Sequence, residues 1–528
     1  MKKVRAPTQE EAGVLIAMLA VIFGGWVRLF PPSIAGFPIN DGGLFTVMIR
    51  AIQADGLKLP AYFQYNGQSI PFAYPPLALY VGAIISYLFH LDAIDVVRWL
   101  PAIILIGTVP AFYYLAKGVL NSSFRAGLAT FAFAFTPRTM TWTIMGGGLT
   151  RSFGMLFLLL TLANLYRLFD ARDRKYLAPS ILFSALVVLA HPEAALHTIA
   201  LAILFWIFKG GNKDGIVNAI TIGVGTIAVT SIWWIPTLLR LGPDPFLAAA
   251  QTGSHSALSF LYPFLLTLTD ESFLTIIAVL GLIGFIVCIT NKDYFLPVFY
   301  FVPFIVDPRS SATYAMIPLT MMAGLALSEI ILPGLSQLER KLTRLPIENL
   351  FQSRMVNLSL IVFGLYLLGG TMYFGTQVAA TAVSAADRAA FSWISTNTPP
   401  NSRFLVMTGE NEILCDGVQE WFPVLANRVD ILTIQGDEWL PGKKYIQAVN
   451  LQSGTQACVN DSDPLDCIGQ NKLEYNYIYV ARQSTLKNLC RAIAPVKRGE
   501  GLIAELDQNP QYQLAYQTNG VAIFSYQH

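Results

Sequence analysis

Charge is scarce in this chain. Lys, Arg, Asp and Glu make up 13% of its 528 residues, about half the share in a soluble globular protein. With 54% apolar residues and a mean hydropathy of +0.51, that deficit excludes a soluble enzyme and a disordered chain. The net charge of +2 offers no electrostatic basis for holding a polyanion, so nucleic acid is excluded as a partner. There is no solenoid-type repeat and no nucleotide-binding glycine motif. What remains is a polytopic α-helical membrane protein. At roughly 20 apolar residues per span there is room for about ten helices and a soluble domain.

The few charges are unevenly placed. Residues 1–379 hold 24 Lys+Arg and 18 Asp+Glu, and residues 380–528 hold 11 and 15. Only the first part has long apolar runs. The expected division is a transmembrane domain, 1–379, with an external loop at 31–97, and a soluble α/β domain, 380–528. In the tail the pattern predicts a helix around 386–396, strands at 403–407 and 475–480, and a terminal hairpin of 513–517 and 521–526 about Asn519-Gly520.

Cysteine is scarce too, five in all. Cys288 lies in an apolar run and reads as inert core. Cys415, Cys458, Cys467 and Cys490 all fall in the tail. An even number in one domain points to disulfides in an oxidising compartment, with Cys458–Cys467 the expected pair; reduced thiols are the alternative. Zinc is disfavoured, because the spacing is not CxxC and no histidine pair is near.

The apolar runs predict eleven spans, at 12–30, 98–117, 126–141, 152–169, 177–190, 194–208, 216–239, 272–290, 294–306, 312–332 and 355–375. On that count the connections on the N-terminal side, with Lys2, Lys3 and Arg5, carry 16 basic residues and the opposite side eight. The richest loop holds Arg167, Arg172, Arg174 and Lys175. The positive-inside rule then gives a multi-pass protein of the plasma membrane with a cytoplasmic N-terminus and an external tail. The apolar run 73–90, which opens Tyr74-Pro75-Pro76, lies along the outer interface in this reading. Letting it cross would turn the 167–175 loop outward.

On the same topology the notable ionisable residues gather at the outer edge. Asp41 follows the first helix. Arg138 and Arg151 flank Gly146-Gly147-Gly148. His191-Pro192-Glu193 and Asp307-Pro308-Arg309 sit in later outer turns. Ionisable groups at membrane depth are costly and usually face a cavity. Arginine grips phosphate through paired hydrogen bonds, and a carboxylate can take a proton from a hydroxyl. Carboxylates with arginines and a histidine therefore suit an anionic substrate and a proton transfer. Each feature also has a plain alternative: a turn at Asp41, a flexible glycine turn, a helix cap at His191-Pro192-Glu193, an internal ion pair at Asp307-Pro308-Arg309.

The pattern resembles the integral-membrane GT-C glycosyltransferases, which use polyprenyl-phosphate-linked sugars on the external face. Asn40-Asp41-Gly42-Gly43 early in a long external loop carries the likeness. So do Tyr74-Pro75-Pro76-Leu77, which is similar to the Pro-Pro-Leu element of protein mannosyltransferases and aminoarabinose transferases, Arg98-Trp99-Leu100-Pro101, and Asp307-Pro308-Arg309. In the tail, residues 393–400 and Glu420-Trp421-Phe422-Pro423 look like the external domain of bacterial relatives. The resemblance implies Asp41 as catalytic base and a lipid phosphate as leaving group. Arg309, with Arg151 or Arg138, would stabilise that phosphate. Asp307 and Tyr74 belong to the same expected substrate site, and Glu193 and His191 would bind hydroxyls. The expected partners are a lipid-linked sugar donor, a glycan, lipid or protein acceptor, and the bilayer. A transporter or flippase of lipid-linked glycans is the alternative. The chain departs from the oligosaccharyltransferases: the loop Met145–Arg151 has no carboxylate, and their Trp-Trp-Asp-Tyr-Gly motif is absent. No cofactor is required by these residues, although a divalent metal held by Asp41, Glu193 and Asp307 stays open.

Overall fold

The computed structural model describes residues 7–252, 257–344, 346–410, 415–442, 445–482 and 499–527. Cys490 and the basic residues Lys2, Lys3 and Arg5 lie outside them. All eleven predicted stretches contain a helix: Gln9–Ala35, Ala93–Leu120, Ser123–Phe135, Gly148–Asp170, Leu177–Ala190, Pro192–Lys209, Lys213–Leu241, Ile276–Thr290, Phe295–Val306, Ser311–Thr343 and Arg354–Ala379. Seven of these are long and apolar enough to cross a membrane by length and composition. The other four have 12 to 15 residues, roughly 18–23 Å at 1.5 Å per residue, so each needs flanking turns to match a hydrocarbon layer of about 30 Å.

Two of the short helices stop for a stated reason. Leu177–Ala190 ends at His191 and Phe295–Val306 ends at Asp307, both in extended backbone. Each precedes a proline, whose ring crowds the helical conformation out of the residue before it. The helices pack closely where glycine replaces a side chain. A Cβ on Gly13 would fall 2.2 Å from the Ser123 carbonyl oxygen, and one on Gly284 would fall 1.9 Å from that of Met322. Such small-residue contacts bring helices together in lipid, where apolar surface alone gives no driving force. The outward faces are apolar: Leu15, Met18 and Ile22 on the first helix, and Leu358, Ile361 and Leu365 on the last, are exposed. On helices of this length and hydropathy, such stripes are the faces expected to meet lipid.

The first loop is more structured than its sequence suggests. It holds an amphipathic helix, Gly43–Ala54, an antiparallel hairpin of Tyr62–Tyr65 and Gln68–Pro71, and the helix Leu77–Phe89. The tail carries a five-stranded mixed sheet in the order Val429–Asp430, Arg403–Met407, Tyr477–Ala481, Val521–Tyr526, Tyr512–Gln517. The first three strands are parallel, and Val521–Tyr526 pairs antiparallel with its neighbour on each side. Ala385–Asn397 begins with a capping box of Ser384 and Asp387. The tail meets the first loop through an apolar cluster that joins Phe37 to Trp421, Phe422 and Phe391. Cys458 and Cys467 form a disulfide, Cys415 is disulfide-bonded as well, and Cys288 is a buried free thiol.

Candidate active site

Asp41 sits in a turn that its sequence dictates. Asn40 adopts the left-handed region at φ 57° and Gly42 stands at φ 123°, conformations that asparagine and glycine tolerate best. The Asp41 Oδ1 accepts the Gly147 N–H at 2.9 Å, and the Gly146 N–H donates to the Ile39 carbonyl at 2.8 Å. The three glycines are a cradle rather than a flexible turn. A Cβ on Gly146 would fall 1.7 Å from the Asp41 carbonyl oxygen, one on Gly147 2.2 Å from Asp41 Oδ2, and one on Gly148 2.3 Å from the Thr143 carbonyl.

Arg151 projects from the first turn of Gly148–Asp170, with Nη1 at 3.9 Å from Asp41 Oδ2 and 3.3 Å from the Trp142 carbonyl. That is a loose pairing, and both side chains stay about a quarter exposed (24% each). Arg151 is also within electrostatic reach of Glu193. The Tyr74 hydroxyl is hydrogen-bonded at 3.0 Å to that of Thr150, the residue before Arg151. Burial raises its phenol above the ordinary value, so it acts as a neutral hydrogen-bonding group.

The two X-Pro steps bring further polar groups near Arg151. His191 caps Pro192–Lys209, its Nδ1 accepting the Ala194 N–H at 3.3 Å, and it lies in reach of Arg151, Arg309 and Asp307. Asp307 Oδ2 accepts the Ser310 hydroxyl at 2.6 Å, and Oδ1 accepts the Arg309 N–H at 3.1 Å. Ser310 is 3.1 Å from His197 Nε2, and the His197 ring lies 4.0 Å from that of Tyr314. Asp307 thus fixes the turn through backbone and hydroxyl rather than through an ion pair with its neighbour. The Arg309 guanidinium is exposed and, among the described residues, has no hydrogen-bond or ion-pair partner.

Asp41, Arg151, Tyr74, Glu193, His191, Asp307 and Arg309 therefore form one connected neighbourhood. Arg138 does not join it. Its Nε lies 2.9 Å from Asp270 Oδ2 and its Nη2 donates to Oδ1 at 3.0 Å, so its charge is spent on holding the 268–270 segment. Nor do Asp41, Glu193 and Asp307 make a metal centre. Among the described residues no group of three or more His, Cys, Asp or Glu is placed to hold an ion.

The sequence reading missed His197, although it falls four residues after Glu193 and so on the same helix face. It also missed what Glu420 does. Glu420 Oε1 accepts the Gly42 N–H at 2.9 Å and the Leu44 N–H at 3.1 Å. Trp421 Nε1–H donates to the Asn40 carbonyl at 2.9 Å, and the Tyr65 hydroxyl donates to the Glu420 carbonyl at 2.7 Å. Burial first, and then the Asp41 carboxylate, push the Glu420 carboxyl well above its ordinary range. No local pattern signals contacts that span 355 residues or more.

A family model described as a 6-pyruvoyl-tetrahydropterin synthase related domain, a membrane protein, matches residues 73–306, less than half of the chain. No curated protein matches it by sequence. Solved structures do match by fold. The Archaeoglobus fulgidus oligosaccharyltransferase, in complex with Zn and sulfate, shares 16% identity at a TM-score of 0.55 over 97% of this chain and 73% of its own. ArnT from Cupriavidus metallidurans in the apo state shares 12% at 0.55 over 97% of both chains, and its complex with undecaprenyl phosphate matches at 0.50. The arabinofuranosyltransferase AftD from Mycobacteria shares 16% at 0.52 over 99% of this chain, which spans only 40% of AftD. The chain thus has the fold of the integral-membrane GT-C glycosyltransferases. It is a multi-pass membrane protein of that architecture, with a sheet-bearing C-terminal region.

Proposed function

We propose that this protein is a glycosyltransferase that moves a sugar from a polyprenyl-phosphate carrier to an acceptor on the external face of the membrane. The observation that carries the reading is the facing pair of Asp41 and Arg151, with Arg309, which has no hydrogen-bond or ion-pair partner among the described residues, in the same neighbourhood. Asp41 is the general base: it takes the proton of the acceptor hydroxyl or amine as that atom attacks the anomeric carbon. The carbon–phosphate oxygen bond breaks, and the carrier phosphate leaves with its electrons. Arg309 and Arg151 neutralise the charge that grows there. Glu193, His191 and Tyr74 line the remaining walls for sugar and acceptor hydroxyls. The donor class is supported by ArnT, of the same fold, which has been solved with undecaprenyl phosphate. An apolar cavity of about 310 Å³ lies beside the helix that ends at Asp307, lined by Phe285, Phe301, Leu319 and Met322 among others, and suits a prenyl chain.

The test is incubation of the purified protein with radiolabelled undecaprenyl-phosphate sugars (a hexose, a pentose and an aminosugar) and a membrane extract. Label should pass from the carrier to a new product, with polyprenyl phosphate released. A flippase would move the intact donor across vesicles and leave the sugar–phosphate bond whole; that result would overturn the proposal.

A further inference from the structure

The helix Gly43–Ala54 has no cap of its own. Gly42 at its N-cap offers no side chain, and its first turn holds no acidic residue. Its first N–H groups need an acceptor, and the positive end of its dipole favours a carboxylate. The tail provides one from 376 residues away: Glu420 Oε1 takes both the Gly42 and the Leu44 N–H. These two peptide groups close the turn that bears Asp41. Asn40 and Gly42 hold positive φ on either side of it, a pair of conformations that a free loop would leave. The Asn40 carbonyl is pinned by the buried Trp421 indole. The approach is close enough that a Cβ on Gly43 would fall 2.7 Å from the Glu420 carbonyl oxygen.

We infer that Glu420 is a positioning residue for Asp41, and that the tail domain takes part in the reaction by locking the first-loop turn rather than only by covering the site. The inference rests on the reading of Asp41 as base. Glu420 needs to accept, not to be charged: its burial favours the protonated form, whose carbonyl oxygen still takes both N–H groups. Gln at this position keeps that oxygen. Ala removes it, and Asp draws it back by one methylene.

The experiment measures steady-state turnover of the full-length protein with the undecaprenyl-phosphate sugar that the wild type uses, per folded molecule. Glu420→Ala should lower kcat by roughly 10–100-fold, the cost of a misplaced reacting group, with the donor KM within about 2-fold of wild type because no donor contact is lost. Glu420→Asp should fall between, and serves if the Ala variant does not fold. Glu420→Gln should stay within about 3-fold. In an Asp41→Asn background, Glu420→Ala should add nothing, since a brace has no effect on a base already removed. Full-speed Glu420→Ala and Glu420→Asp overturn the inference, as does a Gln variant as slow as Ala, or multiplicative losses in the double variant. Normal turnover of Asp41→Asn alone withdraws the reading of Asp41 instead, so the two failures are told apart.

Discussion

The carboxylate of Asp41 is held by one peptide N–H and by space that only glycine leaves. Gly147→Ala should therefore act on chemistry. The new methyl would fall 2.2 Å from Oδ2, so the carboxylate must swing away; turnover should fall at least 10-fold, the scale of a misplaced catalytic group, and a crystal or cryo-EM structure should show Asp41 rotated. Asp41→Asn keeps the acceptor for the Gly147 N–H but cannot take a proton. It should lower turnover by roughly 100-fold or more with normal expression and donor binding. Arg309→Ala should instead weaken donor binding as well as slow the reaction, because the proposed function sets its guanidinium against the carrier phosphate both before and during departure. Normal turnover in folded Asp41→Asn would move suspicion to Glu193 and Asp307. These residues were legible in the sequence because each sits beside glycine or proline in an otherwise apolar stretch. Glu420 was legible only as part of a motif likeness. Its role comes from long-range hydrogen bonds, and Arg138 looked equivalent to Arg151 because its partner Asp270 lies 132 residues on.

Elements were read better than contacts. Hydrophobic runs and turn residues predicted the tail strand at Arg403–Met407 and the hairpin Tyr512–Gln517 with Val521–Tyr526 almost to the residue. The first-loop helix Gly43–Ala54 was missed because it lacks a cap signal and is held by the tail. In the tail, Asp430 on the edge strand and Asp416 at the N-cap of Gly417–Ala426 are buried, and desolvation pushes each carboxyl from 3.8 up to about 7. The folded state then keeps a proton that the unfolded chain releases above about pH 4. This contribution is whole below that pH and is lost as pH rises through about 7, on the order of 4 kcal/mol per group. Hydrogen exchange across the tail strands should show more protection at pH 5 than at pH 8. Asp430→Asn should remove its share, since the amide oxygen still accepts from Val406 and Leu432, the N–H partners of Oδ1. Protection that does not vary with pH would contradict this account. The Cys458–Cys467 bridge closes a short loop, a separation of nine residues, and should contribute on the order of 2–3 kcal/mol. Non-reducing mass spectrometry should find the linked peptide; free thiols in protein from its native compartment would count against it.

For the whole molecule, the contact between loop and tail turns topology into a parity argument. Gly42 and Leu44 are hydrogen-bonded to Glu420, so the first loop and the tail lie on one side of the membrane. The number of crossings between them must then be even. Ten of the eleven expected spans lie between Asp41 and Glu420, which satisfies the condition. Adding Leu77–Phe89 as a crossing would make eleven and tear the contact apart, so that helix belongs along the interface if the ten cross. On the expected spans the asymmetry of 16 basic residues against eight predicts the tail outside, which topology mapping tests. Reporter fusions after Lys175 and after Arg354 should read cytoplasmic, and a fusion at His528 external. Gly56, in the exposed turn that follows Gly43–Ala54, gives an independent check. A cysteine placed there should react with an impermeant thiol reagent from the same side as one placed near the C-terminus. Labelling from opposite sides would break the loop–tail contact, and with it both the site at Asp41 and the brace at Glu420. Labelling of both from the cytoplasm would keep the site intact but turn it inward, and the donor would then have to be presented on the cytoplasmic leaflet.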